Sequence, residues 1–208
     1  MKIVTLSDVH NQYKKVEIPE ADVILFAGDL TSHGSKDEVK KFASWCKNLP
    51  YKHKIVVAGN HDFFFQKFNK EARQLMIDSG LTYLEDEEHI IDGIKFYGSP
   101  WQPWFYNWAF NLERGFQIRK KWDLIPKDTD VLITHGPPYG ILDRTPNGED
   151  VGCSDLKDIV VSIKPKAHIF GHIHHSYGFK SIDSTLYINT SICNERYQPV
   201  NKPFLFEL

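Results

Sequence analysis

Short, mainly apolar runs of three or four residues recur along this chain, and most of them lead within two residues into glycine, aspartate, asparagine or histidine. The runs fall at 3–6, 23–26, 55–57, 94–97, 131–133, 168–170, 186–188 and 204–206. Each is too short for a helix and is bounded by turn-forming residues, which predicts buried strands. Helical spacing appears between them. In 35–48, Ser35 can cap the first turn while Val39, Phe42, Ala43 and Cys46 share a face. Further helices are expected over 68–79, closed by Gly80, over 112–122, and over 154–163, stopped before Pro165. Strand and helix alternate in the first half, which implies parallel pairing with right-handed crossovers, and strands follow one another in the second. A layered α/β protein with two packed sheets fits both halves.

A chain of 208 residues lies within the range of one domain, so 1–208 is expected to form a single unit. Hydrophobic residues at 41% and charged residues at 25% are enough for a core and argue against disorder. The net charge of −2 gives no basic footprint for a nucleic-acid backbone. The first residues reach Asp8 before any signal-peptide stretch is complete, and no apolar run is long enough for a membrane span. Cys46, Cys153 and Cys193 are odd in number and far apart, which suits reduced, buried thiols. A cytoplasmic protein without a membrane partner is expected. The acidic run 85–88 is expected to be a solvated loop.

Five of the polar clusters carry chemistry. Asp8-Val9-His10 follows the first run, and in an extended segment alternate residues point to one side, so the two side chains can converge. Gly28-Asp29 closes the second run and Gly59-Asn60-His61-Asp62 the third. His135 follows Thr134 after a later run, and Gly171-His172-Ile173-His174 follows another. Taken singly, Asp-x-His arises by chance, Asn-His-Asp can be turn chemistry, and a lone histidine is usually a hydrogen-bonded core residue. Five strand ends repeating the pattern instead read as one metal or catalytic site, since ligands bind outside the carboxyl ends of strands in open α/β sheets.

Read in order, Asp-x-His, Gly-Asp, Gly-Asn-His-Asp, His-Gly and Gly-His-x-His resemble the calcineurin-like metallophosphoesterase superfamily over residues 8–174, with one departure: the glycine follows His135 instead of preceding it. Residues 56–62, 98–105 and 134–138 are further similar to the small metallophosphoesterase-domain-containing, brain-type phosphodiesterase group. The resemblance implies a four-layer α/β/β/α sandwich of two mixed β-sheets flanked by helices. It also implies two divalent ions per chain, Mn²⁺ first and Fe or Zn²⁺ as alternatives. Asp8, His10, Asp29 and His174 would hold one ion, and Asp29, Asn60, His135 and His172 the other. Only Asp8 and Asp29 are anionic ligands, so the excess positive charge would favour attack by a metal-bound hydroxide on an anionic phosphoester. His61 would act as general acid, with Asp62 holding its imidazole.

The resemblance also bears on substrate. His33 stands where phosphoprotein phosphatases of the superfamily carry a phosphate-binding arginine, which points away from that branch and towards phosphodiesters, cyclic nucleotides in particular. Some proteins of the brain-type group have glycine in place of the first histidine of Gly-His-x-His; this chain has His172, so a complete and active centre is expected. Segment 101–110 holds Trp101, Trp104, Phe105, Tyr106, Trp108 and Phe110, which can stack a nucleobase, pack onto the domain, or join a homo-oligomer. A phosphomonoesterase, a nuclease and a non-catalytic metal-binding interaction protein are the alternatives.

Overall fold

The computed structural model describes residues 1–208. In chain order the elements are β1 (Lys2–Leu6), β2 (Val23–Ala27), α1 (Lys36–Lys47), β3 (His53–Val57), α2 (Phe63–Lys67), α3 (Asn69–Asp78), β4 (Thr82–Tyr83), β5 (Glu87–Ile91), β6 (Ile94–Ser99), β7 (Gln102–Pro103), β8 (Asn111–Leu112), α4 (Phe116–Trp122), β9 (Val131–Thr134), α5 (Ser154–Ile163), β10 (Ala167–Phe170), β11 (Gly178–Ile182), β12 (Thr185–Asn189) and β13 (Phe204–Glu207).

Two large mixed sheets result, ordered β13-β1-β2-β3-β4 and β11-β12-β10-β9-β6-β5. The pairs β1–β2, β2–β3 and β3–β4 are parallel, as the strand–helix alternation implies, and so are β6–β9, β9–β10 and β10–β12. Alternation along each strand sorts side chains into layers. Ile3, Leu25, Ile55 and Val57 of the first sheet pack against Val131, Ile133, Ile169 and Ile188 of the second. On the outer face of the first sheet, Val4, Leu6, Phe26 and Val56 meet Phe42 and Cys46 of α1 and Ala72 and Met76 of α3. On the outer face of the second, Tyr97, Leu132 and Phe170 meet Ile118 and Trp122 of α4 and Leu156 and Val160 of α5. Helices therefore flank two sheets packed face to face, the α/β/β/α order expected.

Helix α1 begins where expected. Ser35 accepts from the Glu38 amide, and Glu38 Oε2 accepts from the Ser35 amide at 2.9 Å, a reciprocal capping box. Helix α4 starts later than 112, because Leu112 belongs to β8 and Gly115, at φ +77, turns the chain into the helix. The acidic run is not a solvated loop. Asp86 accepts from Ser99 Oγ at 2.7 Å, Trp101 Nε1 at 2.9 Å and Lys121 Nζ at 2.7 Å, so it clamps the start of the aromatic segment to β6 and α4. Glu87 and Glu88 open β5.

Candidate metal centre

The carboxyl ends of β1, β2 and β3 meet those of β9 and β10 along one edge of the sandwich, which brings the five polar clusters together. Asp8 and His10 do not converge through an extended strand. Both take left-handed backbone conformations, at φ +53 and +38, as does Asp29 at φ +52. The loop after β1 instead runs along the loop after β2: the amides of Asp8, His10 and Asn11 donate to the carbonyls of Gly28, Asp29 and Leu30 at 3.0, 3.0 and 3.2 Å. These bonds offset the backbone strain and fix Asp8, His10 and Asp29 as one unit.

Two glycines make the approach of the loops possible. A Cβ at Gly59 would collide with the Asp29 carboxylate, and one at Gly171 would collide with the Asp8 carboxylate and Ser7 Oγ. The carboxylates themselves are braced, Asp8 Oδ2 accepting from the His172 amide at 2.9 Å and Ser191 Oγ at 2.8 Å, and Asp29 Oδ1 from the His61 amide at 2.8 Å.

Around these carboxylates the imidazoles form groups that can hold a metal: Asp8 with His10 and His174, His10 with Asp29 and His61, and Asp8 with Asp29 and His135. His174 Nε2 lies 3.2 Å from Asp8 Oδ1 and 3.4 Å from His10 Nε2. His135 Nε2 lies 2.8 Å from Asn60 Oδ1 and 3.4 Å from Asp29 Oδ1. His135 and His174 each direct Nδ1 at a backbone carbonyl, Ala27 and Asn194, both at 3.0 Å, which turns Nε2 inward. In the neutral imidazoles the Nε2 lone pair faces carboxylate and amide oxygens, an arrangement that a proton or a metal cation satisfies. His172 stands slightly apart, its ring 5.0 Å from that of His135.

The electrostatics match. Burial alone would raise both carboxyl groups, yet the adjacent His174 holds Asp8, and the adjacent His135 holds Asp29, well below the usual carboxylate range. Burial pushes His10 down to about 4 and His172 down to about 3. It also works against protonation of His135 and His174, but Asp29 and Asp8 outweigh it and raise each to about 9. Buried carboxylates here create strong local demand for positive charge, and mixed imidazole, amide and carboxylate donors suit divalent ions of the Mn²⁺, Fe or Zn²⁺ kind. The residues present fit divalent metal ions.

Asp62 does not hold the imidazole of His61. Its carboxylate accepts from the amides of Gly59, Leu30 and Thr31 at 2.8, 3.1 and 3.0 Å and from Thr31 Oγ1 at 2.6 Å, stapling the loop after β3 to the loop after β2. The His61 ring is held by the Ser32 carbonyl, which accepts from Nδ1 at 2.7 Å, while Nε2 faces Asp29 Oδ2 at 3.9 Å. A turn is the reason: Asp62 follows His61 directly, and the Asp62 amide bonds back to the Gly59 carbonyl at 3.1 Å, so consecutive side chains diverge.

Two aromatic residues complete the site. Trp108 packs on His61 with ring centroids 4.2 Å apart, and Tyr197 meets His10 edge-on at 4.7 Å. Trp108 belongs to the aromatic segment that the sequence marks. Nothing in the sequence marks Tyr197, a loop residue far from every motif. Trp101 and Phe110 of the same segment pack inward against each other, whereas Trp104 and Tyr106 are exposed.

The family model described as calcineurin-like phosphoesterase matches residues 1–176. Over 231 aligned residues the chain is 42% identical to metallophosphoesterase domain-containing protein 1 of Homo sapiens, with all of this chain and 71% of that protein covered. It is 38% identical over 218 residues to UPF0046 protein K07C11.7 of Caenorhabditis elegans, covering 99% and 74% of the two. A solved structure described as a novel archaeal phosphodiesterase shares the fold with a TM-score of 0.58 at 19% identity, over 100% of this chain and 93% of that one. With its motifs gathered at one sheet edge and its whole length aligned to such relatives, the chain belongs to the calcineurin-like phosphoesterase family.

Proposed function

We propose that the chain is a dinuclear metal-dependent phosphodiesterase that hydrolyses small diesters, cyclic nucleotides among them, in the cytoplasm. One observation carries this reading: the cavity of about 310 Å³ above the centre is lined by 13 residues, and none is lysine or arginine. Its walls include Phe105, Trp108 and Tyr197, and at its rim Glu195 faces His175 at 3.6 Å. A dianionic monoester or a nucleic-acid backbone calls for cationic side chains along its path, whereas a monoanionic diester with a planar substituent does not. His33 lies outside this cavity, with Nδ1 3.5 Å from Glu38 Oε1, and so leaves the arginine's place unfilled.

In this reading Asp8, His10, Asp29 and His174 hold one ion, and Asp29, Asn60, His135 and His172 the other, with Mn²⁺ the metal we assign. Two divalent ions bound there supply Lewis-acid charge and a nucleophile at neutral pH. The chain's own groups do the rest. His61, fixed by Ser32 and Trp108, presents Nε2 to the cavity. With Nδ1–H kept on the Ser32 carbonyl, the doubly protonated ring gives its Nε2 proton to the leaving oxygen and is left neutral. Residues 1–208 act as one unit, since the inter-sheet core joins strands from both halves of the chain.

The test is to strip the protein of metal, reload it separately with Mn²⁺, Fe²⁺, Zn²⁺ and Mg²⁺, and assay a cyclic nucleotide, an aryl monoester and single-stranded DNA side by side. Fastest turnover of the diester, with Mn²⁺ most effective, is expected. Turnover of the monoester or DNA with none of the diester would overturn the reading.

A further inference from the structure

We propose that a second cavity, on the far side of Phe105 from the metal centre, binds a planar aromatic substituent of the phosphoester, with the indole of Trp104 as its stacking face. The proposal rests on the phosphodiesterase reading for its substrate but on separate geometry for its site.

This cavity has a volume of about 420 Å³, the size of a small-molecule site. Its walls are apolar and aromatic, built from Pro103, Trp104, Phe105, Pro137 and Val151, with Arg114 as its one cationic residue. It adjoins the metal-centre cavity, with Phe105, Thr145, His172 and Ile173 lining both. With a phosphoryl group seated at His172, a substituent directed past Phe105 would enter this space.

Trp104 is the tryptophan of the segment without a packing role. Trp101 donates Nε1–H to Asp86 and packs on Phe110, and Trp108 packs on His61, whereas Trp104 pairs with no other ring and is 61% exposed. Exposed indole on a flat surface would suit a protein partner. Here it borders a concave space, which commits it to a ligand group small enough to enter.

The walls are fixed before any ligand arrives. The Trp104 amide donates to the Leu112 carbonyl at 2.8 Å, and Asn111 Nδ2 donates to the carbonyls of Phe105 and Tyr106 at 2.9 and 3.0 Å. On the opposite wall, Arg114 donates from Nη1 and Nη2 to the Gly152 and Val151 carbonyls, both at 2.8 Å. The Gly152 amide in turn donates to the buried carboxylate of Asp143 at 2.9 Å. A preformed slot with a free aromatic face stacks a planar ring at small ordering cost.

The experiment is calorimetric titration of the Mn²⁺-loaded protein with diphenyl phosphate, dimethyl phosphate and adenosine 5′-methylphosphate. Diphenyl phosphate should bind at least about tenfold more tightly than dimethyl phosphate; Trp104→Ala should remove about tenfold of that affinity, and Trp104→Phe should restore most of it. A parallel loss on the adenosine probe assigns the slot to a nucleobase, and a loss confined to diphenyl phosphate assigns it to a simple aryl group. Unchanged affinity for diphenyl phosphate in Trp104→Ala overturns the proposal, most plainly if the variant instead dissociates an oligomer in sedimentation. Turnover of bis(4-nitrophenyl) phosphate is measured separately. Tight, Trp104-dependent binding without turnover would sink the phosphodiesterase reading and leave the slot standing.

Discussion

The imidazole of His61 donates Nδ1–H to the carbonyl of Ser32 at 2.7 Å, and the adjacent Asp62 carboxylate takes four other hydrogen bonds instead. A neutral carbonyl orients the ring without adding a second negative charge beside Asp29. Function and architecture are thereby divided between two consecutive residues.

Replacing His61 by Ala should lower turnover by about 10²–10⁴-fold, the usual contribution of a positioned general acid, while metal content and melting temperature stay near native. Full activity of this variant on a diester with a poor leaving group would remove His61 from the acid's role.

Asp62→Ala should behave in the opposite sense. It strands three buried amides, each costing roughly 1–3 kcal/mol when unsatisfied, so a loss of about 3 kcal/mol or more is expected in urea denaturation of the metal-free protein. Stability within 1 kcal/mol of native, by the same approximate scale, would show that water replaces the carboxylate.

Asp29→Ala should abolish dinuclear occupancy, because the carboxylate takes part in two of the clusters that can hold a metal. Elemental analysis after gel filtration in Mn²⁺ should find two ions in the native chain and one or none in the variant. Undiminished occupancy would exclude Asp29 as a shared ligand.

Gly171→Ala should reach the metal centre through Asp8. The new methyl group would strike the Asp8 carboxylate and Ser7 Oγ, and overpacking of this kind costs about 1–3 kcal/mol. Reduced metal content together with this loss is expected from elemental analysis and thermal melts. Native metal content would mean that Asp8 can shift without leaving its ion.

The strand ends were legible in the sequence because burial on both faces makes central strands continuous apolar runs and because five of the runs lead into residues with chemistry. Edge elements left weaker traces. Strand β11 is largely exposed, with no alternation to read, β5 starts inside an acidic run, and α2 is a five-residue helix of Phe-Phe-Phe-Gln-Lys. At the site, which residues converge was readable, but which atom holds His61 was not, since the bond comes from a backbone carbonyl 29 residues away and backbone acceptors carry no residue signature. Tyr197 was invisible for a related reason: a loop held by the Asn194 carbonyl, which accepts from the Tyr197 amide at 2.8 Å and from His174 Nδ1 at 3.0 Å, brings it over His10.

His168 gives a prediction in pH. It lies wholly buried on β10 between Phe170 and Tyr187. Thr134 Oγ1 donates to the Gly136 carbonyl at 2.7 Å and so accepts from His168 Nε2–H at 2.9 Å, while Nδ1 has no partner. Burial pushes this imidazole down to about 3, from 6.5 for the free side chain. Between those values the unfolded chain binds a proton that the folded chain refuses. Stability must therefore fall as pH drops below about 6.5, by up to about 1.4 kcal/mol per pH unit from this residue. His168→Leu removes the refused proton but also the bond to Thr134, worth about 1 kcal/mol. The variant should be less stable than native at pH 7.5 and lose less on acidification to pH 5, so that the two stability curves converge or cross. Urea denaturation of both metal-free proteins at the two pH values measures this. Parallel curves would show that His168 accepts a proton within the fold, which would require an acceptor beside Nδ1.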